Sequence, residues 1–236
     1  MEELNRYSVQ DSKFSTVHFE GRECIRKETR LNVHLGIHWC DLEKAIIHYV
    51  TKLTSAGIPV PEIYKSEANQ ERLIYICEFK GPNILQYMRK IAPNDLLPEK
   101  KVLDRIFSIL RKAQNARLNF DPHIKNFVWN GVELAYVDFT PPWVDSYYDV
   151  RLSLACEHEK KILKDFFSCM EPQQLGYHFA ADFLKMDPIY MSTMPRLFSI
   201  LGEHNLIQGN FDAFVTRVNK IKEIEQQRER EKLFLL

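Results

Sequence analysis

The chain has 236 residues, which is enough to bury a core as one large domain or as two lobes. Its 32 basic and 32 acidic residues give a formal charge of zero, so the charge balance favours neither nucleic acid nor an anionic membrane as a partner. The five cysteines form no Cys-x-x-Cys pair, and the sequence shows neither a signal segment nor an apolar run of membrane-spanning length. We therefore expect a cytoplasmic protein with reduced thiols.

Two strands are predicted first, over residues 16–20 and 22–29, and Gly21 between them favours a hairpin. The second strand contains Arg26 and Lys27. Successive side chains of a strand alternate, so these two cations are expected on opposite faces of the sheet.

A helix is predicted next, with Asp41 as its N-cap and Glu43 in its first turn. Its apolar residues recur at helical spacing, and they are Leu42, Ala45, Ile46, Tyr49, Val50 and Leu53. Gly57 and Pro59 end the helix.

The apolar run over residues 73–79 predicts a central strand that is buried on both faces. Helices are predicted over residues 83–92 and 101–118, and the second helix leads into a polar loop. Residues 151–236 read as helical, with breaks near Pro172, Pro188, Pro195 and Gly209, and the charged last helix is expected to be solvated.

The polar loop offers Asp121, His123 and Asn126, and it is followed by two β-rich runs joined by Asn130-Gly131. This dipeptide predicts a hairpin with a type I′ turn, which brings Asn126 and Asp138 to its open end. Carboxylate and amide oxygens suit a hard cation such as Mg²⁺ that holds a phosphate. The alternative is a surface hairpin with unrelated turn residues.

The pattern Asp121-x-His123-x-x-Asn126, followed by Asp138-Phe139, resembles the catalytic loop and metal segment of the aminoglycoside phosphotransferase and choline kinase group, relatives of the protein kinases. That loop commonly reads His-Gly-Asp-x-His-x-x-Asn, and this chain has Asn119 and Phe120 in place of His-Gly. Residues 56–64 resemble the family's Gly-Ile-Pro-Val-Pro turn, and residues 78–85 are similar to its interlobe linker.

The resemblance implies an α/β (α+β) fold of the two-lobed, protein-kinase-like type. A small N-terminal antiparallel sheet plus a helix would form the nucleotide-binding lobe over residues 1–80, and a mostly helical catalytic and substrate-binding lobe would follow over residues 81–236. It also implies ATP and Mg²⁺ as cofactors and a small-molecule hydroxyl, of the aminoglycoside, sugar or amino-alcohol kind, as phosphate acceptor.

The resemblance further implies a role for individual residues of the catalytic loop. Asp121 would orient the acceptor hydroxyl and take its proton, and His123 would support the loop or Asp138. Asn126 and Asp138 would bind the magnesium ion.

Other residues are implied to bind the nucleotide. Lys27, or else Arg26, would hold the α and β phosphates, and Glu43 would pair with that cation. The main chain of the linker residues would bind adenine, and these are Glu78, Phe79 and Lys80.

Asp149 would cap a helix or support the catalytic loop.

Three other interpretations compete. The departures at Asn119 and Phe120 favour a nucleotide-binding pseudokinase that acts as an interaction or regulatory protein. A metal-dependent hydrolase lacks a His-x-His or His-Glu-x-x-His pattern, and a zinc site formed by His34, His38 and Cys40 lacks a fourth ligand at a usual spacing. A group of acidic residues in the C-terminal third is either solvated or meets a cationic acceptor, namely Asp145, Glu157, Glu159, Asp182 and Asp187.

Overall fold

The computed structural model describes residues 15–20, 23–30, 38–84, 100–186 and 193–231. Four antiparallel strands form the first sheet, and they are β1 (Ser15–Phe19), β2 (Cys24–Arg30), β3 (Ile63–Ala68) and β4 (Arg72–Glu78). The strand order is β1-β2-β4-β3, so the apolar strand β4 lies in the interior of the sheet, as predicted. Lys27 of β2 stands opposite Tyr75 of β4.

Helix α1 (Trp39–Ser55) packs its predicted apolar stripe into the core, with Leu42, Ile46, Tyr49 and Leu53 buried. The predicted N-cap was wrong. His38 caps the helix, because its Nδ1 accepts a hydrogen bond of 3.3 Å from the Cys40 amide, and Asp41 lies in the first turn. The helix ends before Gly57, whose φ of +70° lies in the left-handed region that glycine tolerates.

The hairpin of β5 (Phe127–Trp129) and β6 (Leu134–Tyr136) is present, but its turn is not the predicted type I′. A type I′ turn needs positive φ at both central residues, and only Gly131 has it, at +98°. The connection has four residues instead. The Asn130 carboxamide oxygen closes it by accepting hydrogen bonds from the Val132 and Glu133 amides, at 2.9 and 2.7 Å.

The remaining helices are α2 (Lys100–Asn115), α3 (Asp145–Ser153), α4 (Glu157–Ser168), α5 (Leu175–Met186), α6 (Met194–Glu203) and α7 (Phe211–Arg230). Pro172, Pro195 and Gly209 lie at the predicted breaks between them, whereas Pro188 lies outside the described residues. The same holds for residues 85–92 of the helix predicted over 83–92. Residues 116–118 follow α2 instead of extending it.

Helix α7 is not the solvated helix that its charge suggested. It packs against α5 and α4 and buries Phe214, Val218, Ile221 and Glu225. A carboxylate on this buried face needs partners, because an isolated buried charge is costly.

A small antiparallel sheet with helix α1, followed by a mostly helical region, is the two-lobed α+β, kinase-like arrangement predicted from the sequence. The division between residues 80 and 81 stays a prediction. In the part of the chain that the structure describes, no helix combines the length and the apolar character needed to cross a membrane.

Candidate active site

Strand β2 and the end of the β5–β6 hairpin meet through one ion pair. Lys27 Nζ lies 2.9 Å from Asp138 Oδ1, and both side chains are largely shielded from solvent. The Lys27 ammonium also lies 5.7 Å from the centre of the Phe139 ring. Of the two predicted cations, Lys27 therefore faces the hairpin, whereas Arg26 pairs with Glu28 at 3.5 Å on the other face of its strand.

Glu43 does not pair with Lys27 in this structure. The Glu43 carboxylate accepts a hydrogen bond of 2.6 Å from the Ser66 hydroxyl of β3, so it ties helix α1 to the edge of the sheet. The sequence placed Glu43 on the correct helix, but it could not show which of two carboxylates meets Lys27.

The linker after β4 carries the residues predicted to bind adenine. The Phe79 amide already donates to the Glu23 carbonyl at 2.7 Å, and Glu78 pairs with Lys80 Nζ at 2.7 Å. Among the described residues, the Lys80 amide makes no main-chain hydrogen bond. Gly81 follows with a φ of +119°, and a Cβ there would lie 2.8 Å from the Trp129 carbonyl, so the linker presses against β5.

Of the catalytic-loop candidates, Asn126 lies on a short 3₁₀ turn (Ile124–Asn126) that leads into β5, while Asp121 and His123 precede this turn. The Asn126 carbonyl accepts from the Val137 amide at 2.9 Å, which places Asn126 beside the residue that precedes Asp138. The Asn126 side chain in turn donates to the Asp121 carbonyl at 3.4 Å. The predicted meeting of Asn126 and Asp138 at the open end of the hairpin is thus present in the main-chain pairing.

Asp121 is almost fully buried and is held by His123. Its Oδ1 accepts from the His123 amide at 3.1 Å and also contacts His123 Nδ1. Burial alone would raise the pKa of Asp121, but the charge of His123 and its hydrogen bond outweigh this and hold the pKa well below its usual range. For His123, burial works the other way, and Asp121 and Asp182 raise its pKa well above the ordinary value.

Three further residues complete this site: sequence reasoning missed His178 and Glu225, and it named Asp182 for other roles. Asp182 of α5 is buried, and its Oδ2 accepts from the Ile124 amide at 3.0 Å, so it supports the loop instead of lying solvated or meeting an acceptor. Glu225 Oε1 of α7 lies 3.2 Å from His123 Nε2 and also contacts His178 Nε2 of α5. The sequence did contain a signal for Glu225. This residue continues the helical spacing of the apolar residues Phe214, Val218 and Ile221, which places its carboxylate on the buried face of α7.

Asp149 has neither of its predicted roles as cap or loop support. It lies exposed in the middle of α3, whose N-cap is Val144. Asp182 supplies the loop support that the resemblance assigned to Asp149.

Of the two residues that depart from the family pattern, Phe120 belongs to the core and Asn119 is half-buried. Phe120 is fully buried, and its ring centre lies 4.1 Å from that of Tyr136 and 6.2 Å from that of Phe127. The Asn119 carbonyl accepts from the Tyr49 hydroxyl at 3.1 Å, which links the loop to helix α1. The Phe120 ring packing anchors the loop in a way that a glycine could not, whereas the Tyr49 hydrogen bond uses a main-chain carbonyl that any residue at position 119 would offer.

Comparison with known proteins identifies no family for this chain. No protein-family model matches the chain, and no curated protein matches it. One solved structure similar to it is a co-crystal structure of WbdD with the kinase inhibitor LY294002, at 15% identity and a TM-score of 0.41. The match covers 92% of this chain and 46% of that one, so the chain spans about half the length of that protein.

Proposed function

We propose that the protein is an ATP- and Mg²⁺-dependent phosphotransferase of the aminoglycoside phosphotransferase and choline kinase kind, acting on a hydroxyl of a small molecule. The observation that carries the proposal is the Lys27–Asp138 ion pair at 2.9 Å, made at the end of the hairpin where Asn126 also lies. The proposed phosphate cation and one proposed magnesium ligand are thus in contact, and Asn126, the second proposed ligand, lies at the same end of the hairpin.

The donor set fits magnesium. Asp138 offers a carboxylate and Asn126 an amide oxygen, which are the hard ligands that Mg²⁺ takes together with phosphate oxygens. When bound there, the ion would neutralise charge on the phosphates. Lys27 would then contact phosphate oxygens, and the Lys80 amide, which makes no main-chain hydrogen bond among the described residues, would donate to the nucleobase.

The protein's own part in the transfer is placement. Asp121 would accept a hydrogen bond from the acceptor hydroxyl, set its direction towards the γ-phosphate and take its proton. His123 would hold the Asp121 carboxylate through its ring nitrogen, and Asp182 would fix the main chain of the loop at Ile124. The acceptor would be an aminoglycoside, a sugar or an amino alcohol, and the site of action cytoplasmic.

A second candidate is a nucleotide-binding pseudokinase with an interaction or regulatory role. It is favoured by the engagement of Asp121, whose side chain is buried and already contacts His123. A carboxylate held in this way must open towards solvent before it can meet a hydroxyl.

A screen for γ-phosphate transfer over hydroxylated amines and sugars tests the proposal, with and without Mg²⁺. We expect an acceptor that the wild type phosphorylates and that Asp121→Asn does not, while both bind ATP equally. Equal ATP binding with no transfer to any acceptor by either protein would favour the pseudokinase. Transfer by Asp121→Asn at the wild-type rate would refute the role of Asp121.

A further inference from the structure

A cluster of ionisable side chains joins the catalytic loop to two C-terminal helices. Its members, here called the His123–His178 cluster, are Asp121, His123, His178, Asp182 and Glu225. His178 is fully buried, Glu225 is 1% exposed, and the two imidazole rings meet edge to face with centres 4.8 Å apart. Three carboxylates in such a place require positive charge nearby.

The orientation of His178 decides which of its nitrogens is available. His178 Nδ1 lies 3.1 Å from the Cys169 carbonyl, and a carbonyl can only accept, so Nδ1 carries a hydrogen. In the neutral ring this leaves a lone pair on Nε2, which contacts Glu225 Oε1. Two acceptors then face each other, and a cation between them, either a proton or a metal ion, resolves the conflict.

His178 also has the surroundings of a metal ligand. Histidines that bind metals commonly donate their second ring nitrogen to a main-chain carbonyl, which fixes the ring and its tautomer. The Cys169 carbonyl does this for His178, and the pair is buried between α4 and α5. The orientation is therefore fixed before any ion binds.

The other donors converge on the same place. The ligand atoms of Asp121, His123 and His178 lie within 4.8 Å of one another. Glu225 Oε1, which contacts His178, lies 3.2 Å from His123 Nε2. Asp121 contacts His123 at Nδ1 and Glu225 lies at Nε2, so the His123 ring must turn before two imidazole nitrogens and two carboxylate oxygens can surround one centre.

We propose that Asp121, His123, His178 and Glu225 bind a divalent transition-metal ion of the zinc class. Two imidazoles with two carboxylates suit zinc and its neighbours in the first transition row, whereas magnesium prefers oxygen ligands alone. This centre is distinct from the magnesium pair Asn126 and Asp138. The bound ion would join the catalytic loop to α5 and α7.

The ion would also control the catalytic loop. Coordination of Asp121 withdraws its carboxylate from an acceptor hydroxyl, so the metal-bound protein should transfer phosphate more slowly. That consequence rests on the proposed function, whereas the metal centre itself does not.

Titration with Co²⁺ tests the metal centre without any assay of activity. The full chain, purified in chelator and then freed of it, should bind stoichiometric Co²⁺ with a visible absorption band that Zn²⁺ abolishes and excess Mg²⁺ leaves unchanged. Glu225→Gln and His178→Gln should weaken binding by at least about tenfold. His204→Gln, at a histidine that pairs with Asp104 instead, should bind like the wild type.

Two outcomes would overturn the proposal. One is the lack of saturable Co²⁺ binding by the wild type, which would leave protons on the imidazoles as the balancing charge. The other is unchanged binding in both folded variants, with folding checked by thermal melting. If neither variant folds, X-ray absorption of the zinc-loaded wild type decides, because the proposal requires scattering from two imidazoles.

Discussion

The Lys27 ammonium and the Asp138 carboxylate form an ion pair at 2.9 Å although 111 positions separate the two residues in the chain. The pair links the second strand of the small sheet to the hairpin after the catalytic loop. It brings the proposed phosphate cation and a proposed magnesium ligand together, and on the proposed function a nucleotide with its metal ion would replace that contact.

Replacement of Lys27 should therefore affect nucleotide binding in a way that replacement of its neighbour does not. We expect Lys27→Met to weaken Mg²⁺–ATP binding by about tenfold to a hundredfold, because a hydrogen bond to a charged group is lost. Arg26→Met is the matched control, since Arg26 pairs with Glu28 on the opposite face. Calorimetric titration of both variants measures the difference. A stronger effect of Arg26→Met would assign the phosphates to Arg26.

Asp182 should be one of the most important acidic residues for stability. Asp182 is 7% exposed, and its carboxylate accepts a hydrogen bond from the Ile124 amide. In Asp182→Ala, the buried Ile124 amide loses its acceptor and the His123 ring loses a nearby carboxylate. We expect a loss of about 3 to 5 kcal/mol in the free energy of unfolding. Denaturant titration should show a change within about 0.5 kcal/mol for the exposed control Asp149→Ala. Equal losses in both variants would show that Asp182 does not support the loop.

Phe120 should be required for packing even though it departs from the family pattern. Its fully buried ring contacts Tyr136, so Phe120→Ala should cost about 3 to 5 kcal/mol of stability. Phe120→Leu keeps most of the volume and should cost clearly less. The control Phe211→Ala removes a ring that is 36% exposed. If Phe120→Gly were as stable as the wild type, the loop would be anchored by other contacts.

The cysteines should differ in reactivity with a thiol reagent at pH 8. Burial raises the pKa of Cys77 to about 11 and that of Cys169 to about 12, so both stay protonated until the pH is far above neutral. The thiolate is the reactive form, and Cys156 is exposed. We expect Cys156 to react quickly and the two buried thiols only on unfolding, as mass spectrometry of the labelled peptides would show. Rapid labelling of Cys77 in the folded protein would contradict the burial of β4.

Local patterns predicted the elements of the fold better than the partners of its charges. The apolar run at β4 and the stripe of α1 depend on periodicity that neighbouring residues set. The partner of Lys27 depends on how the hairpin docks on the sheet, so the sequence suggested Glu43, whereas the structure pairs Lys27 with Asp138. The N-cap of α1 moved to His38 because an imidazole nitrogen, which the usual cap preferences leave out, accepts the amide.

The candidate site was predicted where its residues are close in sequence. Asn126 and Asp138 lie at the end of one hairpin, so the approach of their main chains follows from local pairing, whereas the Asp121 carboxylate contacts His123. His178 and Glu225 come from separate helices, and only the packing of α5 against α7 brings them to His123. The many charged residues of α7 concealed the single carboxylate on its buried face.

The central claim is that Asp138 binds the magnesium ion of a nucleotide beside Lys27. Calorimetric titration of ATP with and without Mg²⁺ tests it most directly, with Asp138→Asn compared against the wild type and against Asp104→Asn, a carboxylate that pairs with Lys100 on α2. We predict that the wild type and Asp104→Asn bind ATP only with Mg²⁺. Asp138→Asn should lose most of its affinity for ATP, and its remaining binding should no longer require Mg²⁺. Magnesium-dependent binding that Asp138→Asn leaves unchanged would contradict the account.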